Sequence, residues 1–395
     1  MGILPTSDKF PLLVVLNPSA GLKQGQKIFA KTVQPAIDNS GTAVRLIETS
    51  ARGFAQTYFK DNIQQILADL CQSLVTTASN RGGPQPVHPT SATLRVMVMG
   101  GDGTVHETVN GILEGLKGSS FVSDGFRPKI ELSVVPTGTG NAIATSLGVT
   151  TVQEAIERFQ AGAVIPLRVV KVSTRPQESN DQPAAANGWK THVYTVVVNS
   201  FGLHCATVHD AEGYRGLGNL RFKIAALKNI FLLKQYEARL DFYGPVQRYD
   251  RPLQKLVATV ESDTEEVPNA SSNSPSFTLS GPFTYLMFSK QASLEPGFKP
   301  TPLAKTSDGW LDVLAVQNVG RSAILQVLEG IINDGQHVQH EKVEYYKAKI
   351  VELETPKNGR LCIDGEFMDI AAGPQGRVKF EVSSDPNIQL FHVYS

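Results

Sequence analysis

Cysteine is scarce in this 395-residue chain, which holds only Cys71, Cys205 and Cys362. An odd number without CxxC or any zinc spacing excludes a disulfide framework and a structural zinc module, and reads as buried thiols in a reducing compartment. Long hydrophobic runs are missing as well. No stretch of about 18 apolar residues occurs and the N-terminus lacks a secretory hydrophobic region, so the expectation is a soluble protein that at most sits on a membrane surface. An excess of one charge is also lacking. Lys and Arg number 37 and Asp and Glu number 37, which argues against a general nucleic-acid partner. No internal repeat is visible. At this length one compact core is not enough, and two domains are expected.

What is there centres on one stretch. Val96-Met97-Val98-Met99 has strand character and runs into Gly100-Gly101-Asp102-Gly103-Thr104, after which a helical pattern begins at once. Glycines let the backbone approach a bulky ligand, and the first amides of the following helix carry positive partial charge. Phosphate is the usual guest of such a loop. Asp102 among those amides is placed to hold Mg²⁺ or to accept a proton from an attacking hydroxyl. His106 and Glu107 follow on the first helical turn, with Glu107 as a supporting carboxylate.

In chain order, residues 12–16 form a continuous apolar run, read as a buried parallel strand. It ends in Asn17-Pro18-Ser19-Ala20-Gly21. Helical spacing over 23–37, a strand over 42–47 and a helix over 54–74, with Thr49 and Ser50 as cap candidates, make a βαβα start. Residues 78–93 read as an exposed loop. A further strand over 130–135 leads into Pro136-Thr137-Gly138-Thr139-Gly140-Asn141, a second glycine-rich loop opening a second helix. Two such loops at strand ends of one open sheet converge on one crevice. Neither has GxxxxGK[ST] or full GxGxxG spacing, which disfavours the P-loop and dinucleotide readings.

Beyond about residue 148 short strands dominate, at 169–172, 193–199, 238–243, 256–260, 284–289, 311–316, 347–353, 359–363 and 378–382, which predicts an antiparallel sandwich. Helical patterns interrupt them at 219–236 and 322–334, and polar inserts at 175–190 and 262–280 read as disordered. The expected fold is therefore α/β plus all-β: a doubly wound domain over 1–150 and a β-sandwich over 151–395. Met1-Gly2-Ile3-Leu4-Pro5-Thr6 also fits the loose pattern for N-myristoylation of Gly2.

Residues 15–21, 100–111 and 136–141, with Cys362-Ile363-Asp364-Gly365-Glu366, resemble the successive blocks of the diacylglycerol kinase catalytic domain superfamily, in the same order. Residues 214–222, Tyr-Arg-Gly-Leu-Gly-Asn-Leu-Arg-Phe, resemble a segment of its sphingosine and ceramide kinase branch. The resemblance implies ATP and Mg²⁺ meeting a lipid hydroxyl between an N-terminal nucleotide domain and a C-terminal lipid-binding sandwich, whose final strand has room to return to the first domain.

On that footing Asp102 is the general base or metal-linked carboxylate. Gly100, Gly101, Gly103 and Thr104 wrap the phosphates from one side, and Thr137, Gly138, Thr139, Gly140 and Asn141 from the other. Asn17, Thr49 and Glu107 complete the nucleotide set. Asp364 and Glu366 join Asp102 as catalytic residues, and their i, i+2 spacing puts both on one face of an extended segment. Asp308, in a DGxLDV-like block, joins Asp102 and Asp364 as a Mg²⁺ ligand. The substrate region departs from the pattern: Ala206 stands where the branch carries an aspartate that would hold a cationic sphingoid amine. His209 and Asp210, just beyond it, are the substrate-binding candidates. Phe54 likewise replaces a family histidine.

The helix over 219–236 mixes apolar and basic residues, compatible with a core helix or with an interfacial lid. The resulting expectation is a cytoplasmic lipid kinase, peripheral on an intracellular or plasma membrane, acting on a sphingoid long-chain base or related lipid. Its alternatives are a diacylglycerol or ceramide kinase, an NAD kinase-like enzyme, and a catalytically silent lipid-binding protein. The sequence leaves oligomeric state open.

Overall fold

The computed structural model describes residues 10–79, 91–119, 126–175, 188–218, 220–260, 274–373 and 376–395. The Gly2 pattern and most of the inserts at 78–93, 175–190 and 262–280 lie outside them. The chain divides into two compact units, one of residues up to Leu167 with Ser384–Ser395, the other Arg168–Ser383.

The first unit is α/β. β1 (Leu12–Leu16) is buried along its whole length, as an unbroken apolar run requires of a strand covered on both faces. It lies parallel between β2 (Val44–Glu48) and β3 (Ser91–Gly100), and β4 (Arg127–Pro136) continues in parallel beyond β3. Helix α1 joins β1 to β2 as Gly25–Ile28 and Gln34–Asp38 with a π segment, Phe29–Val33, between them. Helices α2 (Phe54–Ser79) and α3 (Asp102–Leu116) follow β2 and β3. The order β2-β1-β3-β4 makes β1 and β3 the neighbours at which the winding reverses, the place where open α/β sheets bind ligands.

Past β4 come α4 (Ala142–Ser146) and α5 (Val152–Ala161). Thr151 and Glu154 start α5 with a reciprocal capping box, and Gly162 ends it in the left-handed region. The C-terminal strand β18 (Phe391–Tyr394) then lies parallel beside β4, with β5 (Val164–Pro166) antiparallel to it. The last strand of the chain therefore completes the first sheet.

The second unit holds one antiparallel sheet of twelve strands. They are β6 (Val170–Thr174), β7 (Lys190–Thr195), β8 (Val198–Gly202), β9 (Arg239–Asp250), β10 (Lys255–Val260), β11 (Phe277–Ser280), β12 (Phe283–Ser289), β13 (Leu311–Gln317), β14 (Val343–Glu354), β15 (Gly359–Ile363), β16 (Glu366–Ile370) and β17 (Val378–Val382). β14 is the fork. Its first half pairs with β13 and its second half with β17, while β9 also pairs with it over most of its length. The sheet thus curls over its own core. Phe288 of β12 stacks on Phe380 of β17 with ring centroids 4.5 Å apart, both fully buried; each such ring contributes about 2–3 kcal/mol by leaving water. Helices α6 (Leu203–Ala211), α7 (Leu220–Phe231) and α8 (Arg321–Ile332) interrupt the strands.

Helix α5 and strands β5, β16 and β18 were not expected, and two further differences have a visible physical cause. The strand expected over 193–199 is broken into β7 and β8, because the amides of Val196 and Val197 donate to the Asp364 carboxylate. Residues 277–280, expected within a disordered insert, form β11, where Phe277 packs against Phe242 and Tyr346 at 5.5 and 5.3 Å.

Candidate active site

Three loops at the carboxyl ends of β1, β3 and β4 pack backbone against backbone. A methyl group on Gly138 would stand 2.2 Å from the Cα of Gly101, and one on Gly21, at φ +53°, would meet the Thr137 carbonyl at 2.4 Å. Only hydrogen fits at these positions. The amides of Thr137 and Gly138 donate to the Gly100 carbonyl at 3.3 and 3.1 Å. Asn17 donates from its amide nitrogen to the Met99 carbonyl at 2.9 Å, and from Nδ2 to Thr104 Oγ1 at 3.1 Å. Asn141 closes its own loop by accepting from the Gly138 amide and donating to the Gly138 carbonyl.

Asp102 ties the two glycine loops together. Its amide donates to the Gly140 carbonyl at 3.0 Å, and its carboxylate accepts from the amides of Ala142 and Ile143 at 2.9 and 3.4 Å. Around it, Gly103 faces open space and the Thr137 hydroxyl is buried without a hydrogen-bond partner among the described residues. Thr139 and Gly140 are exposed at the loop tip. Thr49 is buried at the end of β2, its amide held by the Leu16 carbonyl at 2.8 Å. The structure therefore gathers Asn17, Gly100, Gly101, Asp102, Gly103, Thr104, Thr137, Gly138, Thr139, Gly140 and Asn141 at neighbouring strand ends.

Glu107 does not join them. Its carboxylate accepts from the amides of Gly53 and Ala55 at 2.8 and 3.2 Å and caps α2. It takes the capping role expected of Thr49 and Ser50, because α3 runs beside the start of α2. Gly21 is the residue that the sequence reading missed here; its positive φ and its contact with Thr137 show only in three dimensions.

In the second unit, Asp364 and Gly365 have φ of +48° and +91°. This is a two-residue hairpin turn between β15 and β16, so Asp364 and Glu366 are not on one face of an extended segment as expected. Asp364 faces inward. It accepts from the amides of Val196, Val197 and Val198 at 3.0, 3.1 and 2.8 Å and from the Thr195 hydroxyl. Glu366 opens β16, half-buried.

Asp308, expected as a metal ligand, is held by cations of the protein itself. Lys290 Nζ lies 2.9 Å from its Oδ1 and Lys347 Nζ 2.8 Å from its Oδ2. Burial alone would push the Asp308 carboxyl up, and the two ammonium groups outweigh it and hold it below the ordinary range. Lys347 also reaches Asp312, which burial pushes up to about 6. Among the described residues, no three His, Cys, Asp or Glu side chains gather into a metal site.

Helix α6 follows β8 and presents Ala206 and Asp210, one turn apart, to a cavity of about 480 Å³ within the second unit. Asp210 accepts from Lys228 Nζ at 2.9 Å and Asn229 Nδ2 at 3.0 Å, both from α7, and His209 Nδ1 lies 3.4 Å from its other oxygen. Burial raises the Asp210 carboxyl, but these hydrogen bonds outweigh it and set it below its ordinary value. His209 and Asp210 thus share the cavity. Lys228 and Asn229 were not foreseen, since nothing local to them in sequence marks a partner on α6.

The first unit is thus a doubly wound sheet whose paired glycine loops grip one carboxylate, and the second unit is a curled antiparallel sheet. Residues 11–172 match the family described as diacylglycerol kinase catalytic domain, and residues 281–379 match the YegS C-terminal NAD kinase beta sandwich-like domain. Sphingosine kinase 1 of Arabidopsis thaliana is 24% identical over 373 residues, 90% of this chain and 68% of that protein. Sphingosine kinase 1 of Homo sapiens is 23% identical over 393 residues, 95% and 90% of the two chains. A diacylglycerol kinase of Staphylococcus carnosus is 23% identical over 273 residues, 69% and 70%. The crystal structure of a diacylglycerol kinase from Bacillus anthracis str. Sterne shares the fold at a TM-score of 0.52 and 15% identity, over 98% of this chain and 96% of that one. Over residues 11–172 the chain thus carries the diacylglycerol kinase catalytic domain match, and along most of its length it is similar to sphingosine kinases.

Proposed function

We propose that the protein transfers the γ-phosphoryl group of ATP, as its Mg²⁺ complex, to the primary hydroxyl of a sphingoid long-chain base or a related lipid such as ceramide or diacylglycerol. The observation that carries this reading is Asp102, fixed by both glycine loops beside an open backbone at Gly103 and an unpartnered Thr137 hydroxyl. Those two features suit phosphate oxygens.

Phosphoryl transfer asks a protein mainly for positioning and charge neutralisation. The open backbone at Gly103 and the Thr137 hydroxyl hold the phosphate chain, and Asn17 orients Thr104 toward it. Mg²⁺ arriving with the phosphates would supply neutralisation of the charge on the transferred group, and Asp102 is the loop carboxylate that would touch it. Asp102, oriented by the amides of Ala142 and Ile143, accepts the proton of the attacking hydroxyl. The second unit's own cavity, with Asp210 and His209 in its wall, suits the polar head of an acceptor.

The acceptor is drawn from a membrane. Among the described residues no helix is long and apolar enough to cross one. On α7 only Ala225 and Ile230 are buried, whereas Leu220, Leu227 and Phe231 are 54, 66 and 72% exposed. Lys223, Lys228 and Lys234 stand exposed among them, and Asp and Glu are absent from residues 220–236. An apolar face ringed by cations suits peripheral association with an anionic lipid surface, on an intracellular or plasma membrane.

The test is transfer of labelled γ-phosphate to a long-chain base, ceramide, diacylglycerol and NAD, by wild type and Asp102→Asn. Labelled lipid that vanishes in the variant supports the reading. Labelled NAD alone reassigns the protein to a nucleotide acceptor, and no labelled product, or labelled lipid unaffected by the substitution, overturns it.

A further inference from the structure

Which lipid is accepted turns on charge in the cavity of the second unit. Resting on the kinase reading above, we infer that Lys228 is a specificity-determining residue that turns away cationic free bases and selects long-chain acceptors whose hydroxyl neighbours an uncharged amide or ester.

A sphingoid amine is an ammonium at neutral pH and needs a carboxylate. Ala206 supplies none, and Asp210, one turn along α6 on the same cavity wall, is already engaged. Its Oδ2 accepts both the Lys228 ammonium at 2.9 Å and the Asn229 amide at 3.0 Å. Lys228 therefore stands where a substrate amine would have to stand. Displacing it does not remove its charge, because its Cα stays on α7 at the cavity rim. The remaining lining carries Lys234, Lys357 and Arg360, the last paired with Asp369 at 2.8 Å, alongside the carboxylate of Glu237. With Arg360 neutralised by Asp369, the lining still sets three lysines against two carboxylates, which opposes a cationic guest. An amide or ester carbonyl meets the opposite situation, since the ammonium groups of Lys228 and Lys234 are donors and the carbonyl accepts, while Asn229 already gives both its N–H groups to Asp210 and the Ala225 carbonyl.

The test compares a long-chain base with its N-acetyl derivative and with diacylglycerol, each in the same non-ionic detergent micelles with Mg²⁺ and ATP. The readout is the ratio of kcat/KM for uncharged over cationic acceptor. Wild type is expected to favour the uncharged acceptors by roughly tenfold or more, the size of a partly screened like-charge contact. Lys228→Ala should lower that ratio by roughly tenfold, while Lys228→Arg, which keeps the charge, should preserve it. Lys228 is half-exposed, and the melting curves of both variants report folding independently. Preference of the wild type for the free base, or a ratio that Lys228→Ala leaves unchanged, would overturn the inference. Transfer to no lipid at all would instead strike the kinase reading beneath it.

Discussion

Asp102 accepts a hydrogen bond at Oδ2 from the amide of Ala142 across 2.9 Å, bridging two loops that lie forty residues apart in the chain. The bond gives Asp102 a structural duty besides its proposed chemical one, and the two can be separated. Asp102→Ala leaves the Ala142 amide without its acceptor and should cost about 1–2 kcal/mol of stability as well as transfer. Asp102→Asn keeps an acceptor oxygen, so its melting temperature should stay near wild type while transfer is lost. Thermal melts beside the labelled-phosphate assay check both.

Gly138 and Gly103 make opposite predictions although both are loop glycines. Gly138→Ala puts a methyl group 2.2 Å from Gly101 and must push the loops apart, so stability and nucleotide affinity should both fall. Gly103→Ala meets nothing within 4 Å of its new carbon. Its melting temperature should be unchanged and only nucleotide affinity should weaken, as the methyl group enters the space assigned to phosphate. Melts with and without ATP distinguish the two.

Glu107 should behave as a helix cap. Glu107→Ala removes the acceptor for the Gly53 and Ala55 amides and should destabilise the protein by about 1–2 kcal/mol, with the KM for ATP unchanged. A raised KM at unchanged stability would return Glu107 to the nucleotide site.

The exposed face of α7 should govern lipid-surface binding. Leu227→Glu with Phe231→Glu replaces two exposed apolar side chains by charges, which should abolish sedimentation with vesicles containing phosphatidylserine. Activity toward acceptor in detergent micelles should survive. Equal loss in both assays would make α7 a structural element instead.

His337 predicts an acid limb of stability. Burial pushes it down to about 4 from an ordinary value of 6.5, against the opposing bond to the Pro300 carbonyl, which its Nε2 reaches at 2.8 Å. Between these values the unfolded chain binds a proton that the folded chain refuses. Its contribution is therefore complete above pH 6.5 and is lost as pH falls toward 4, by up to roughly 1.4 kcal/mol per pH unit. Denaturant midpoints across that window should fall for wild type and flatten for His337→Gln.

Strands were legible where a buried run is apolar throughout. Residues 12–16 read as a strand from their apolar run and are one, since a strand covered on both faces needs no polar alternation. The glycine loops were legible because close backbone packing and positive partial charge at a helix start both leave a mark in composition. The two-strand break at Val196 and Val197 was not, because an aspartate more than 160 residues away makes it. Short strands such as β5 and β18 left too few residues to show a period.

By itself the sequence determined the α/β start, the antiparallel remainder and the glycine loop around Asp102, because these depend on local pattern and on residue types few loops require. Only the tertiary structure decided which carboxylates are committed to remote partners. Glu107 caps α2, Asp308 is held by two lysines, Asp364 holds a strand break and Asp210 is paired with Lys228. Each of these duties is fixed by a partner remote in the chain, and a carboxylate's role follows from what its oxygens already accept.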